Sequence, residues 1–513
     1  MTVQRALLSV YDKSDLAGFA AGLHDAGVEL VASGGTAALL AEAGLPVTSV
    51  EELTGYPAML GHRVVTLHPV VHGGILARRD VPGDLEELEA HGIGRLDLVC
   101  VGLYPFERVV AGQAVDEAEA VELIDVGGPA LLRAAAKNHA HVAVVSRAED
   151  YGPVLAEIRG TGGVTAETRR RLALRAFATT AAYDGQIAAW LGRDEPFPET
   201  FAPVFDRALE LAYGENPHQR AAFYAQRGIR THVLSRVEQL HGKPLSFNNL
   251  NDLSAARQAC LAFEEPACVI VKHANPCGVG VGDTIEQAYE RALAADPVSA
   301  YGGVVVLNAA VSAALGERLA EQFVEVLFAP GYDDAALPLL VQKPGTRILN
   351  DLERRRFVPA ERDLKRVLGG VLVQDRDLEP DRREDMEIVC GEPTEAQWRD
   401  LLLAWAVVRH VSSNAVVLAR EGQTIGIGGG QTSRVDAVRI AVEKARALGH
   451  PLDGAVLASD AFFPFADGVE LGLSAGVTAI VQPGGSKRDR EVVAAVEAAG
   501  AAMVLTGRRH FRH

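Results

Sequence analysis

Lys272 and His273 stand together at the end of the apolar run CVIV, ahead of NPCGVG. A strand end followed by a glycine- and proline-bearing loop presents both side chains to a ligand. An ammonium beside an imidazole disfavours the imidazolium and leaves a ring able to accept a proton. Such a pair suits general-base chemistry; the competing account is two solvated side chains. The Pro276–Cys277 step also matches part of the HxE…PCxxC zinc-deaminase pattern. Gly280 stands where the second cysteine belongs and no HxE precedes it, so no metal is expected.

Other loops carry groups suited to phosphates and flat polar ligands. In SGGT (Ser33, Gly34, Gly35, Thr36), placed between a strand and a helix, exposed N–H groups favour an anion and the glycines admit it. RVVTLHP with Arg63 and Thr66, the Tyr104–Pro105 pair, and DVGG with Asp125 add polar groups at further turns. In doubly wound sheets, ligands gather at the C-terminal ends of strands, where several of these loops fall. Lys137, in RAAAKNH, reads on its own as a solvated helix residue. LAYGENPHQ, GKPLSFNNLND, SDAFFPFADG and QPGGSKRD are dense in Asn, Gly and aromatic residues and read as loops around a flat ligand. FFPF reads equally as packing around a proline turn. TGRRHFRH is either a frayed basic tail or a means for Arg509 to reach a phosphate.

The elements that must position these groups alternate strand and helix. From Arg5 to about Ser146, ALLSVY, VELVAS, LDLVCVGLYPF and HVAVVS read as strands spaced by helices: a parallel α/β sheet. The first helix is expected from Lys13 to about Asp25, and a long Ala- and Arg-rich helix over about Ala166 to Leu191 closes the region. The proline-rich GRDEPFPETFAP is the best boundary, giving domains 1–197 and 198–513. The second region contains an internal echo. CVIVKHANPCGVG, a helix and DPVSAYGGVVVLN are matched by SSNAVVL with IGIGGGQTSR, a helix and GAVLASDAFFPFADG, each with an aromatic loop after an Asp. The charged stretch LNDLERRRFVPAERDLKR reads as a solvated helix face.

Length and composition bound the classes. A chain of 513 residues suggests roughly three folding units of about 150 residues. Hydrophobic content of 48% with 23% charged residues fits a globular protein and excludes a disordered chain. A net charge of −17 disfavours nucleic acid as a partner, which needs a basic face. No run reaches the ~18 apolar residues of a membrane helix. The opening MTVQRALLSVYDKSDL reads as a strand rather than a signal peptide, so a cytoplasmic protein is expected. The five cysteines form no CxxC pair and are expected to be reduced thiols.

In combination these motifs resemble the bifunctional AICAR transformylase/IMP cyclohydrolase family of purine biosynthesis. SVYDK, VASGGTA, RVVTLHPVVHGGILA, LYPF, IDVGG, LLRAAAKN, YGENPHQ, VKHANPCG, GIGGGQTSR, SDAFFPF and RHFRH occur in family order over nearly the whole chain. The resemblance implies an α/β fold: an N-terminal methylglyoxal-synthase-like doubly wound parallel sheet, then a transformylase region of two cytidine-deaminase-like α/β subdomains. It also implies a homodimer, 10-formyltetrahydrofolate as co-substrate, AICAR, FAICAR and IMP as nucleotide ligands, and no metal or membrane partner. By the same resemblance His273 is a general base and Lys272 its cationic helper. Tyr213, Asn249, Gly302, Glu325, Asn414, Arg434, Phe462 and Arg509 surround the nucleotide, and Asp467, Ser486 and Lys487 face the folate. In the cyclohydrolase half, Ser9, Lys13, Ser33, Gly34, Gly35, Thr36, Arg63 and Thr66 bind, while Tyr104, Asp125 and Lys137 serve catalysis.

Three positions depart from the family pattern. Val65 replaces a usual Lys, Ala212 a usual phosphate-contacting Arg, and Tyr11 a small polar residue. The leading expectation is the bifunctional enzyme. The alternative is a paralogue acting on an AICAR analogue, or one with weakened ring closure. A silent nucleotide- or folate-binding regulator stands third, because binding alone needs no Lys272–His273 pair.

Overall fold

The computed structural model describes residues 2–110, 116–228, 234, 237–352 and 361–513. The chain divides into two compact units, residues 1–205 with 226–228, and residues 206–225 with 229–513. Length alone suggests three; the second unit accounts for the difference, as its two halves share one sheet and one core.

The first unit holds five parallel strands, β1 (Arg5–Val10), β2 (Glu29–Ala32), β3 (Val47–Ser49), β4 (Leu98–Gly102) and β5 (Ala143–Val145), in the order β3-β2-β1-β4-β5. Their residues are apolar almost without alternation because helices cover both faces. Helix Leu16–Asp25 packs with Tyr151–Thr161, and Gly127–Lys137 with Ala166–Leu191. The chain runs outward from β1 to β3 and then crosses to β4, so the switch point lies between the C-terminal ends of β1 and β4. The first helix starts at Leu16 rather than Lys13. Asp12 accepts from the Ser14 N–H and hydroxyl (3.1 and 2.6 Å), and Asp15 adopts φ 60°. That Asx turn keeps Lys13 in the loop beyond β1.

The second unit is built on a twelve-stranded sheet. Its first half comprises β8 (Glu238–His241), β9 (Ala267–Lys272), β10 (Asn275–Val281), β11 (Val304–Leu307), β12 (Val326–Ala329) and β13 (Arg347–Asn350). The second comprises β16 (Glu387–Cys390), β17 (Val416–Arg420), β18 (Gln423–Gly428), β19 (Val456–Ser459), β20 (Ala479–Gln482) and β21 (Ala502–Leu505). The order β16-β21-β20-β19-β17-β18-β10-β9-β11-β12-β13-β8 reads the same from either edge once halves are exchanged. Two-stranded pairs β6 (Phe205–Leu211) with β7 (Ala221–Gln226), and β14 (Arg362–Val367) with β15 (Gly370–Asp375), stand apart from it.

Duplication extends to single residues. A Cβ on Gly278 or Gly280 of β10 would collide with the carbonyls of Ala292 and Ala288; Gly426 and Gly428 of β18 meet Ala441 and Ala437 in the same way. Strand alternation sends Val269, Val271, Val417, Ala419, Val456 and Ala458 to one face. There helices Phe247–Cys260 and Glu395–Val408 form a single core across both halves. Cys268, Ile270, Val416 and Leu418 point to the other face, where each half has its own core.

Several local expectations are corrected. NPCGVG is the strand β10, not a loop; Lys272 and Asn275 pair across a two-residue turn. GKPLSFNNLND turns helical at Phe247, because Ser246 and Asn249 form a reciprocal capping box. Arg362–Val367, expected as part of a charged helix, is a strand whose cross-strand pairing in β14–β15 overrides its helical charge pattern; residues 353–360 lie outside the described residues. The echo also differs in one place: Asp296–Tyr301 precedes β11, whereas Asp460–Phe465 follows β19. No helix among the described residues is long and apolar enough to cross a membrane.

Candidate active site

In the first unit the sequence-selected residues converge on the switch point. Ser33 caps helix Gly34–Glu42 without using its side chain; its hydroxyl instead donates to Ser9 Oγ at 2.8 Å. Thr36 ties the first turn of that helix to β1, accepting from Val10 N–H (3.1 Å) and donating to its carbonyl (3.2 Å). Lys13 Nζ would lie 3.7 Å from a Cβ on Gly35, so an ammonium stands over an uncapped helix start. That is a cradle for an anion. Beyond β4, Tyr104 meets Tyr11 edge to face with centroids 5.3 Å apart. Asp125 Oδ1 accepts from Gly128 N–H at 2.8 Å, and its own N–H is held by Tyr183 Oη at 2.8 Å. Burial pushes the Asp125 carboxyl up, against the pull of backbone N–H groups, so it holds a proton more readily than a free Asp. Burial, then Asp125 and Tyr11, also push the Tyr104 phenol up. Thr66 is buried against Gly127, where a Cβ would lie 2.9 Å from its hydroxyl.

Two residues stand differently. Arg63 is exposed and paired with Glu122 at 3.0 Å. Lys137 ends helix Gly127–Lys137, about 15 Å along the axis from its start beside Asp125. The helix therefore separates Lys137 from Asp125 rather than bringing them together. Val65 is half-buried and packs on the core, which gives its apolar side chain a structural use.

In the second unit the residues gather at one end of the strands of the large sheet, around the adjacent strands β9 and β10 near its middle. His273 and Ala274 form the β9–β10 turn, with Asp252 accepting from both N–H groups at 3.2 and 2.7 Å. Burial pushes the Asp252 carboxyl up, against the pull of these two bonds. Lys272 Nζ donates to the Tyr301 carbonyl at 2.9 Å, beside Gly302 with φ 69°. Asn249 Nδ2 donates to Glu325 Oε1 at 2.9 Å, and Arg347 lies 3.6 Å from that carboxylate. The Tyr213 carbonyl accepts from Phe247 N–H at 3.1 Å, which docks the YGENPHQ loop on the same helix start; Ala212 is exposed.

Asn275 connects this cluster to the second half. Its Nδ2 donates to the His273 carbonyl (3.1 Å) and its Oδ1 accepts from Ser412 N–H (2.8 Å). Beyond Ser412, the buried Arg434 donates to Asp460, to Ser459 Oγ (2.7 Å) and to Asn414 Oδ1 (2.8 Å), while Ser413 donates to Asp460. The loop after β19 carries Phe462 and leads to Asp467, the first residue of helix Asp467–Ala475, and the loop after the adjacent parallel strand β20 carries Ser486 and Lys487. FFPF divides its work: Phe463 is core, whereas Phe462 and Phe465 are exposed. Among the described residues, no group of three or more His, Cys, Asp or Glu is placed to hold a metal.

The C-terminal tail is anchored rather than frayed. His510 is buried, with Nδ1 2.5 Å from Asp377 and Nε2 3.0 Å from Asp381, and packs edge-on against Trp405. Its N–H donates to the Asp460 carbonyl (3.1 Å), and the Arg512 carbonyl accepts from Ser413 N–H (2.9 Å). Arg509 is exposed between these anchors, its guanidinium 4.5 Å from the Phe511 ring centroid. Burial pushes the His510 imidazole down, but the two aspartates outweigh it and the net shift is upward. A folded pKa above the unfolded one means stability that is full below about 6.5 and lost as pH rises through the folded value. Denaturant unfolding should therefore show stability falling as pH rises from about 6.5, and His510→Gln should remove that part of the slope. An unchanged slope would exclude the His510 pair as its source.

Asp252, Asn275, Asp460 and His510 are the residues that motif reading passed over. Aligning the two halves reveals one of them. Asp252 and Asp400 each stand sixth in their helices, Phe247–Cys260 and Glu395–Val408.

A doubly wound parallel sheet with polar groups at its switch point is followed by a duplicated α/β sheet with polar groups at one end of its strands. Residues 135–444 match the family model described as AICARFT/IMPCHase bienzyme, and residues 15–130 match the MGS-like domain. The chain belongs to the AICARFT/IMPCHase bienzyme family, the formyltransferase–cyclohydrolases of purine biosynthesis. A solved structure titled "Crystal structure of ForH" is 41% identical over 37% of this chain and 100% of its own, with a TM-score of 0.34.

Proposed function

We propose that this chain transfers a formyl group from 10-formyltetrahydrofolate to the 5-amino group of AICAR and closes the product, FAICAR, to IMP. In the first step the amine attacks the formyl carbon and its proton passes to His273; the carbon–N10 bond then breaks as N10 takes up a proton, releasing tetrahydrofolate. Lys272 stabilises the developing oxyanion. Tyr213, Asn249, Gly302, Glu325, Asn414, Arg434, Phe462 and Arg509 hold the nucleotide, and Asp467, Ser486 and Lys487 hold the folate. In the second step the carboxamide nitrogen attacks the formyl carbon and water leaves. Proximity supplies much of that rate, and Tyr104 with Asp125 moves protons while Ser9, Lys13, Ser33–Thr36, Arg63 and Thr66 bind the nucleotide. The assembly is read as a homodimer, with residues 1–197 closing the ring and 198–513 transferring the formyl group.

The observation that carries this reading is the Lys272–His273 turn joined through Asn275 to the Asn414–Arg434–Asp460 cluster. The test is turnover of AICAR with 10-formyltetrahydrofolate, with formylated intermediate and closed ring followed separately. No formylated product would sink the reading.

Val65 and Ala212 favour a second reading, in which ring closure is weak or the substrate is an AICAR analogue. Valine neither donates a hydrogen bond nor carries charge, and one such donor carries roughly 10²-fold or more in rate. Val65→Lys is expected to speed conversion of FAICAR to IMP towards that factor while leaving formyl transfer unchanged. If the unmodified chain already closes the ring at an ordinary enzymatic rate and Val65→Lys adds nothing, a missing lysine is not the explanation.

A further inference from the structure

Both halves of the large sheet make the same two-residue hairpin turn. Lys272 and Asn275 flank His273–Ala274, and Arg420 and Gln423 flank Glu421–Gly422. All four turn residues have positive φ: 53° and 60° in the first half, 54° and 79° in the second. Turns of this kind favour Asn and Gly, because a Cβ in the left-handed region meets the backbone. The second half relieves its second turn position with Gly422 while Glu421 stays in the left-handed region. The first carries a Cβ at both positions, because Ala274 stands beside His273 where its twin has glycine. Sheet geometry does not demand this, since its twin is satisfied with glycine. Strain of this kind, held in place by its surroundings, is characteristic of functional sites.

What holds each turn is an aspartate from the preceding helix. Asp400 accepts from Glu421 N–H at 2.9 Å and Gly422 N–H at 2.8 Å; Asp252 accepts from His273 N–H at 3.2 Å and Ala274 N–H at 2.7 Å. Lys272, fixed on the Tyr301 carbonyl, and Asn275, fixed on the His273 carbonyl, complete the frame around one turn only.

We propose that Asp252 is a positioning residue of the formyl-transfer step: its carboxylate locks the His273–Ala274 turn so that the imidazole projects from the strand ends beside Lys272. This rests on reading His273 as the base. Asp400 performs the same backbone task at a turn without that chemistry and serves as an internal control.

Asp252→Asn keeps the shape but replaces one acceptor oxygen with a donor, so one of the two N–H bonds is lost. Misplacing a reacting group by about 1 Å costs up to roughly 10²-fold. In the full-length protein, kcat for formyl transfer should fall roughly 10- to 100-fold with KM for both substrates nearly unchanged. Asp400→Asn should lower the melting temperature comparably and leave kcat nearly unchanged. In a His273→Ala background, Asp252→Asn should remove nothing further, because a residue acting through His273 is not additive with it. Should Asp252→Asn fold poorly, Asp252→Asn/Ala274→Gly gives a turn as relaxed as its twin, and turnover should remain low. Wild-type kcat in either Asp252 variant, an equal loss in Asp400→Asn, or an additive loss beside His273→Ala would overturn the positioning role. Near wild-type turnover in His273→Ala would overturn the base assignment, and the positioning role with it. A silent Asp252→Asn beside an inactive His273→Ala overturns the positioning role alone.

Discussion

Replacing His273 with alanine is expected to lower kcat for formyl transfer by at least roughly 10²-fold with the fold intact. The AICAR amine is a poor nucleophile, since its lone pair is delocalised into the ring and carboxamide. Removing its proton during attack lowers the barrier, and a positioned base typically contributes ~10²–10⁴-fold. His273 lies exposed at the tip of a two-residue turn, and the bonds that hold that turn come from its backbone, not its ring. Alanine therefore removes the imidazole without opening a cavity. Steady-state turnover, with circular dichroism and unfolding as structural controls, decides the matter. Near wild-type kcat would remove His273 from the mechanism.

Arg434→Met is expected to cost about 3–5 kcal/mol of folding stability, the range for breaking a buried ion pair from one side. Arg434 is 8% exposed and its partner Asp460 0%, so neither charge is dissolved in water. The guanidinium also satisfies Ser459 Oγ and Asn414 Oδ1. Methionine fills much of the volume but leaves the Asp460 carboxylate with Ser413 as its remaining side-chain donor. Asp460 also lies where the tail docks, because His510 N–H bonds its carbonyl. Urea unfolding of the two proteins measures the difference, and a loss under about 1 kcal/mol would show that water or a local rearrangement solvates Asp460. Arg434→Met/Asp460→Leu should recover much of the stability, since an apolar pair of similar volume leaves no buried charge unpaired.

Sequence by itself determined the elements whose physics is local. The apolar runs ALL and LVCV fix parallel strands because a strand buried on both faces has no polar side to show. The helix Ala166–Leu191 follows from its Ala- and Arg-rich run, whereas three residues of SGGT, read as a turn between strand and helix, form the first turn of helix Gly34–Glu42. Lys272 and His273 were legible as a pair for the same reason: adjacent residues need no fold to be neighbours. Only the tertiary structure decided that NPCGVG is a strand, since its glycines, which look like loop signals, are what lets helix Ile285–Ala295 approach β10. It alone made β14 from a segment with helical charge spacing, and joined two halves over one core where length suggested separate units. It also decided the company that the polar residues keep. Asp252, Asn275, Asp460 and His510 acquire roles through partners distant in sequence, and hydrogen bonds of that kind leave no period or spacing in a chain. Lys137 shows the converse: twelve residues from Asp125 in a single motif-rich stretch, it is carried to the far end of a helix because each residue advances the axis by about 1.5 Å.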